Sequence, residues 1–194
     1  MSSKKNKVIL PKKKAPKIKS QNKKGRSFFK EIFTVNNKFN FKALLKNIAL
    51  PLGGAIIISS LTRGGMIEYA NLKKPSFTPP AIVFPIVWTI LYILMGIAAY
   101  RIYMNNKEGK KDDNGYFYYL IQLSLNFLWS IIFFNLKLYG ISFILIIILL
   151  VLIIVTTMKF FKVDKIAGYL MVPYILWVSF ASVLTFYIWM LNEM

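Results

Sequence analysis

The chain has no cysteine and no histidine, and only seven Asp and Glu stand against 26 Lys and Arg. Without cysteine there are no disulfides, no Cys-x-x-Cys redox chemistry, no thiolate metal sites and no cysteine nucleophile. Without histidine there is no Ser-His-Asp catalysis and no imidazole ligand for zinc or haem. What the chain has in abundance is apolar surface: 56% of its 194 residues are hydrophobic and 16% aromatic, although the net charge is +19. The two properties sit in different places. Residues 1–46 hold 15 Lys and Arg against one acid, Glu31, whereas residues 47–194 hold 11 against six. A basic tail precedes a nearly neutral, apolar body. That body has no basic face to offer a nucleic acid, so no nucleic-acid partner is expected.

Charge-free runs set the architecture. No charged residue lies between Lys74 and Arg101, Asp113 and Lys137, Lys137 and Lys159, or Lys165 and Glu193. Each run exceeds the roughly 20 apolar residues that a helix needs to cross a bilayer. A fifth, shorter run from Asn47 to Thr62 spans if Lys46 snorkels at one end and the helix continues at the other. The fold class expected is an all-α membrane protein, a bundle of five transmembrane helices at 43–65, 80–104, 116–136, 139–160 and 166–191. Residues 43–194 form the membrane domain and residues 1–42 a basic, unstructured arm facing the cytoplasm. The arm has no apolar core of a secretory signal, and its lysines suit anionic lipid.

Connections are short, which makes neighbouring helices antiparallel. The exception is the loop between the first two spans, from Thr62 to Thr78, with Gly64-Gly65 and Lys73-Lys74-Pro75. A long loop in a small bundle is functional or disordered. Pro79-Pro80 fits the first turn of the second span, where a missing N–H is harmless. With this topology, 22 Lys and Arg fall on the side of the arm and four on the other; without the arm the count is seven to four. The positive-inside rule then puts the N-terminus in the cytoplasm, and the Lys-, Asn- and Ile-rich composition points to a bacterial cell membrane.

The second to fifth spans carry no acid or base between their ends, which argues against ion-coupled pumping and deep acid–base catalysis. Aromatic and amide chemistry remains. Trp88 and Tyr92 share a face, as do Asn126 with Ser130 and Trp177 with Ala181, each pair four residues apart. Asn126 has two readings: an interhelical hydrogen bond that fixes packing, or a polar group facing a ligand cavity. Tyr100, Tyr103, Tyr116, Tyr118, Tyr119 and Trp189 lie near helix ends, where an interfacial aromatic belt is expected.

Four strings then occur in order: Tyr69-Ala-Asn-Leu-Lys-Lys-Pro-Ser-Phe-Thr-Pro-Pro80, Val87-Trp-Thr-Ile-Leu-Tyr92, Leu125-Asn-Phe-Leu-Trp-Ser130 and Val172-Pro-Tyr-Ile-Leu-Trp-Val-Ser-Phe-Ala181. Over residues 47–192 the chain resembles the TspO/translocator-protein family, also called tryptophan-rich sensory proteins or peripheral benzodiazepine receptors. The resemblance implies a five-helix bundle, often a homodimer, with a pocket under the first loop. It implies binding of tetrapyrroles such as protoporphyrin IX or haem, or of other lipophilic small molecules. Carried over by motif, Tyr69 lies in the lid; Trp88 and Tyr92, Asn126 and Ser130, and Trp177 and Ala181 line the pocket. Where relatives often have Trp within the Pro-Ser-x-Thr-Pro-Pro segment, this chain has Phe77.

A flat macrocycle needs an apolar cleft, aromatic faces and a few polar anchors. Arg63, Lys73 and Lys74 stand in the lid, with Pro79 and Pro80, where propionates would emerge. No cofactor is obligatory and no metal site is expected. Haem iron would find only weak ligands such as Tyr or Met, which favours metal-free porphyrin. The function expected is a membrane receptor or transporter-like protein for tetrapyrroles. The alternatives are a light-dependent porphyrin-degrading enzyme with Trp88 and Trp177 as catalytic candidates, and a scaffold or passive lipophile carrier.

Overall fold

The computed structural model describes residues 28–107, 109 and 114–194. It contains seven α-helices: α1 (Phe28–Phe33), α2 (Phe41–Leu61), α3 (Arg63–Glu68), α4 (Val83–Lys107), α5 (Gly115–Phe134), α6 (Tyr139–Val163) and α7 (Lys165–Asn192), with one 3-10 turn at Tyr69–Asn71. Helices α2, α4, α5, α6 and α7 are each long and apolar enough to cross a membrane. The protein is an all-α, five-helix membrane bundle, as the charge-free runs require. Among the described residues the β-structure is a single bridge between Val35 and Lys38.

Helix ends follow local chemistry. Asn40, in an extended conformation, caps α2 by accepting the Ala43 N–H on Oδ1 at 3.0 Å, which satisfies one of the amides a helix start leaves open. Asp164 breaks α6 from α7 and caps α7 through the Ala167 N–H, also at 3.0 Å. The first span ends at Leu61, short of the expected 65, because Thr62 takes a non-helical conformation before α3 begins. Pro79 and Pro80 do not occupy the first turn of α4. The Pro80 carbonyl accepts the Val83 N–H in a turn that precedes it, and Pro85 sits in the first turn instead.

Helix α4 is the spine, with α2 on one side and α7 on the other, while α6 packs on α7 and α5. The close approach of α2 and α4 has a local cause. Pro51 has no N–H for the Asn47 carbonyl four residues back. Gly96 lies there, and a Cβ on it would come within 2.9 Å of that carbonyl and 2.6 Å of Ile48 Cα. The Asn47 side chain is also paired: its Nδ2 donates to the Ala43 carbonyl and its Oδ1 accepts from Tyr116 Oη at 2.9 Å, tying α2 to α5.

Three expectations change at the N-terminal end of the bundle. The described last part of the basic arm is structured: α1, the Val35–Lys38 bridge and the Asn40 cap form a strap, with Val35 buried among Leu44, Ile97 and Tyr100. The rest of the arm lies outside the described residues. Tyr100 and Tyr119 are core residues with no exposure, not members of an interfacial belt; the strap covers Tyr100, whose Oη accepts the Asn40 N–H and donates to the Phe33 carbonyl.

Arg101 belongs to the interior of α4 and is 5% exposed. Its guanidinium binds the Asp164 carboxylate through Nε (3.0 Å) and Nη2 (2.8 Å), while Nη1 donates to the carbonyls of Glu31 and Ile32 at 2.7 Å. Asn105 Nδ2 also donates to Asp164. Burial by itself would push the Asp164 carboxyl up; the bonds from Arg101, the Ala167 N–H and Asn105 hold it below its ordinary 3.8.

Removing Arg101 leaves a buried carboxylate with no counter-ion. Arg101→Gln is expected to destabilise the bundle by about 3–5 kcal/mol, read as a lower melting temperature in detergent. The pair's contribution is complete above about pH 4 and fades as pH falls through the depressed Asp164 value. Gln122 is the opposite case: it has no exposure, and neither amide atom finds a partner among the described residues. Gln122→Met is expected to raise stability by about 1 kcal/mol, since it removes an unpaired buried amide at similar volume. A fall in melting temperature contradicts this.

Candidate functional site

A cavity of about 470 Å³ lies between α2, α4, α5 and α7, beneath α3 and the 3-10 turn. Its size falls within the range of roughly 300–1,000 Å³ typical of small-molecule pockets. Helical spacing brings its wall together. Phe84, Trp88 and Tyr92 come from one face of α4, and Trp177, Ala181, Leu184 and Ile188 from one face of α7. Trp88 stacks on Tyr92 with ring centroids 5.4 Å apart and planes at 28°. Phe84 meets Trp177 edge-on at 5.8 Å. Tyr69 closes the top against Phe84, Phe133 and Phe134. The lining also includes Ile56 and Ser59 of α2 and Pro85 and Thr89 of α4, all exposed. The cavity therefore opens sideways between these two spans, toward the lipid.

Six of the seven residues singled out from the sequence as ligand-binding line the cavity: Tyr69, Trp88, Tyr92, Ser130, Trp177 and Ala181. Asn126 does not. It is buried behind the wall, accepting from Tyr92 Oη at 2.8 Å and donating from Nδ2 to Tyr174 Oη at 3.0 Å. The packing reading of Asn126 holds, and it orients the Tyr92 that the cavity shows. Among the lining residues missed are Phe84, Trp129, Phe133, Phe134 and Thr185. The four-residue periodicity from Trp177 through Ala181 to Thr185, and from Trp129 to Phe133, was the available signal.

The polar groups of the lining are mostly satisfied within their own helices. Thr89 Oγ1 donates to the Pro85 carbonyl, Thr185 Oγ1 to Ala181 and Ser130 Oγ to Asn126. Trp129 Nε1 donates to the Ser142 carbonyl on α6. Two lining donors differ. Tyr69 Oη and Trp177 Nε1 are buried and find no partner among the described residues. Burial pushes the Tyr69 hydroxyl up to about 12, so it stays a neutral O–H donor at any physiological pH. The cavity thus presents flat aromatic faces, with two unpartnered donors, Tyr69 Oη and Trp177 Nε1, buried within its wall, a surface suited to a planar apolar molecule.

None of the five lid residues picked from the sequence lines the cavity, and the structure gives them different places. Lys74 is tied into the loop: Nζ donates to the carbonyls of Tyr69 and Ala70 at 2.8 Å and lies 4.9 Å over the Tyr69 ring. It holds the 3-10 turn, and with it Tyr69, in position. The backbone of Lys73 makes a reciprocal pair with the Asn192 side chain at the end of α7. Arg63 is exposed in the first turn of α3. Pro79 and Pro80 lead the chain from the lid into α4. Phe77 packs edge-on against Phe180 and Tyr187 of α7. Glu68 and Lys137 form an ion pair that links α3 to the α5–α6 turn. With no histidine or cysteine anywhere in the chain, a haem in this cavity would find only the Tyr69 hydroxyl, the Met66 thioether or another such weak ligand for its iron.

Residues 47–190 match the family model for the TspO/MBR family. The chain is similar to the tryptophan-rich protein TspO of Chlorobaculum tepidum, 41% identical over 124 residues that cover 64% of this chain and 78% of that protein. It is 37% identical to protein CrtK of Rhodobacter capsulatus over 124 residues, with the same coverage of 64% and 78%. It is 30% identical to the translocator protein of Bos taurus over 149 residues, which cover 74% of this chain and 86% of the relative.

The lid rests on α5 through Gly65, where an added Cβ would lie 1.9 Å from the Phe134 carbonyl oxygen; at Gly64 it would meet nothing within 4 Å. Gly65→Ala is expected to lift α3 and speed hydrogen exchange across residues 63–72 by about tenfold, since such overpacking costs about 1–3 kcal/mol. Gly64→Ala should leave exchange near its original rate. Equal effects of the two changes contradict this account of the lid.

Proposed function

Because the chain belongs to the TspO/MBR family, we propose that this multi-pass membrane protein is a receptor or carrier for a tetrapyrrole, a porphyrin held in the cavity beneath the lid. The observation that carries the reading is the pair of buried donors, Tyr69 Oη and Trp177 Nε1, in an otherwise aromatic and aliphatic cavity. A porphyrin supplies what the wall lacks: a flat π-face for Trp88 and Trp177, and carboxylates or ring acceptors for the two donors. Metal-free protoporphyrin suits the lining better than haem, because no strong axial ligand is at hand. The opening between α2 and α4 lets a lipophilic molecule enter from the bilayer. The related bacterial proteins support placing the chain in a bacterial cell membrane. The homodimer that the resemblance implies is part of the same reading, and cross-linking in membranes checks it.

A second reading is oxidative breakdown of the bound porphyrin in light. Both candidate indoles, Trp88 and Trp177, line the same cavity, which is the arrangement that chemistry would use. Illumination separates the two: for a receptor, porphyrin absorbance decays no faster in the complex than in detergent alone.

Protoporphyrin is expected to quench the intrinsic tryptophan fluorescence in a saturable manner. Tyr69→Phe and Trp177→Phe should each weaken binding by about tenfold, the loss of one hydrogen bond to a charged acceptor. Asn126→Leu, acting through Tyr92, should weaken it less. Quenching that rises linearly without saturation contradicts the reading.

A further inference from the structure

The strap at the N-terminal end of the bundle is held with a strength that packing alone does not need. Ile32, Phe33 and Val35 already bury apolar surface against α2 and α4. Arg101 adds two short bonds to the carbonyls of Glu31 and Ile32, at the C-terminal end of α1, and its other edge is fixed by Asp164 between α6 and α7. Tyr100 grips the strap at both Phe33 and Asn40. A buried ion pair is a weak source of stability but a strong source of fixed geometry. Here it fixes one orientation of residues 28–40 relative to three helices.

Lys30 of α1 and Lys42 and Lys46 of α2 are exposed at this end of the bundle, and Lys42 and Lys46 are one turn apart at the start of α2. Among them stand Phe39, Phe41 and Leu45, exposed at 55%, 63% and 56%. Helix α2 begins its membrane span at Phe41, so these aromatics lie at the level where the bilayer meets water. Alternating lysines and exposed aromatics at that level are the pattern of an interfacial membrane anchor. The charge agrees. At this end of the bundle Lys107, Lys162 and Lys165 are exposed as well, and Asp164 is turned inward to Arg101. Residues 1–27, which lead into the strap, hold eleven Lys and Arg and no acid. At the lid end the cations are fewer, and Lys137 and Lys74 are engaged with Glu68 and the loop carbonyls.

We propose that residues 30–46, clamped by Arg101 and Tyr100, form an interfacial strap that binds the headgroups of anionic phospholipids. The lysines take the phosphate and headgroup charge, and Phe39, Phe41 and Leu45 enter the acyl boundary beside them. The exposed Phe39, Phe41 and Leu45 at the start of a membrane span suit acyl chains and set this surface apart from one built for nucleic acid. The strap precedes residue 47, where the family match begins, so this property belongs to the part of the chain outside the match.

Native mass spectrometry of the full chain in detergent tests the proposal, with phosphatidylglycerol and phosphatidylcholine titrated in equal amounts. The unaltered protein should retain phosphatidylglycerol in preference. The triple variant Lys30→Gln, Lys42→Gln, Lys46→Gln should lose that preference by at least fivefold, since one lysine near an anionic lipid surface is worth roughly that factor. Arg101→Gln, which keeps all three lysines but frees the strap, should also lower it. Equal retention of the two lipids by the unaltered chain overturns the proposal, and so does an unchanged preference in the triple variant. Retention of single-stranded RNA in place of lipid, or masking of the face by a second copy of the chain, overturns it as well.

Discussion

Every polar side chain inside this bundle has to find its partner within protein, because hydrocarbon offers none. That constraint organises the structure. Hydroxyls of Thr89, Thr156, Thr157, Ser182 and Thr185 turn back to the carbonyl four residues earlier. Asn126 links Tyr92 of α4 to Tyr174 of α7, and Asn47 links α2 to Tyr116 of α5. Once these are paired, the polar atoms left over are informative. Tyr69 Oη and Trp177 Nε1 are buried within the wall of the cavity, whereas Gln122, deep in the core, is a plain loss of stability.

The same principle separates the two ends of the bundle. At the lid end, contacts are many and individually modest: an exposed ion pair between Glu68 and Lys137, the Lys73–Asn192 backbone pair, and Lys74 on the Tyr69 turn. Exposed pairs of this kind contribute little each. At the other end one buried guanidinium joins α1, α4 and the α6–α7 turn. That junction is fixed, and it presents the strap's lysines and aromatics at the bilayer edge. One chain thus combines a cover held by modest contacts with a strap clamped by a buried guanidinium at the opposite end.

Much of this was legible in the residues. The charge-free runs marked five spans to within a few residues of their observed ends, because charge is strongly disfavoured in a bilayer. The four-residue spacing of Trp88 with Tyr92 and of Trp177 with Ala181 put the right side chains on shared faces. What stayed hidden depended on long-range partners. Asn126 could face a ligand or a neighbouring helix, and only the positions of Tyr92 and Tyr174 decide between them. Arg101 only bounds a charge-free run in the sequence, and its burial depends on Asp164, 63 residues away, and on the strap carbonyls that close around it. Tyr100 and Tyr119 sit near helix ends, where an interfacial belt is the natural expectation; position along a helix says nothing about which face a neighbour will cover. Lys74 resembles a solvated lid cation, but its distance to the Tyr69 carbonyl makes it part of the lid's own framework.

In the proposed receptor, the unpartnered donors of Tyr69 and Trp177 turn to a tetrapyrrole held in the cavity. The indole N–H resonance of Trp177, assigned in ¹⁵N-labelled protein, reports this most directly. On addition of protoporphyrin it should move to the frequency of a hydrogen-bonded indole, while the Trp129 resonance, already bonded to Ser142, shifts far less. Saturable porphyrin binding that leaves the Trp177 N–H unmoved would contradict the account.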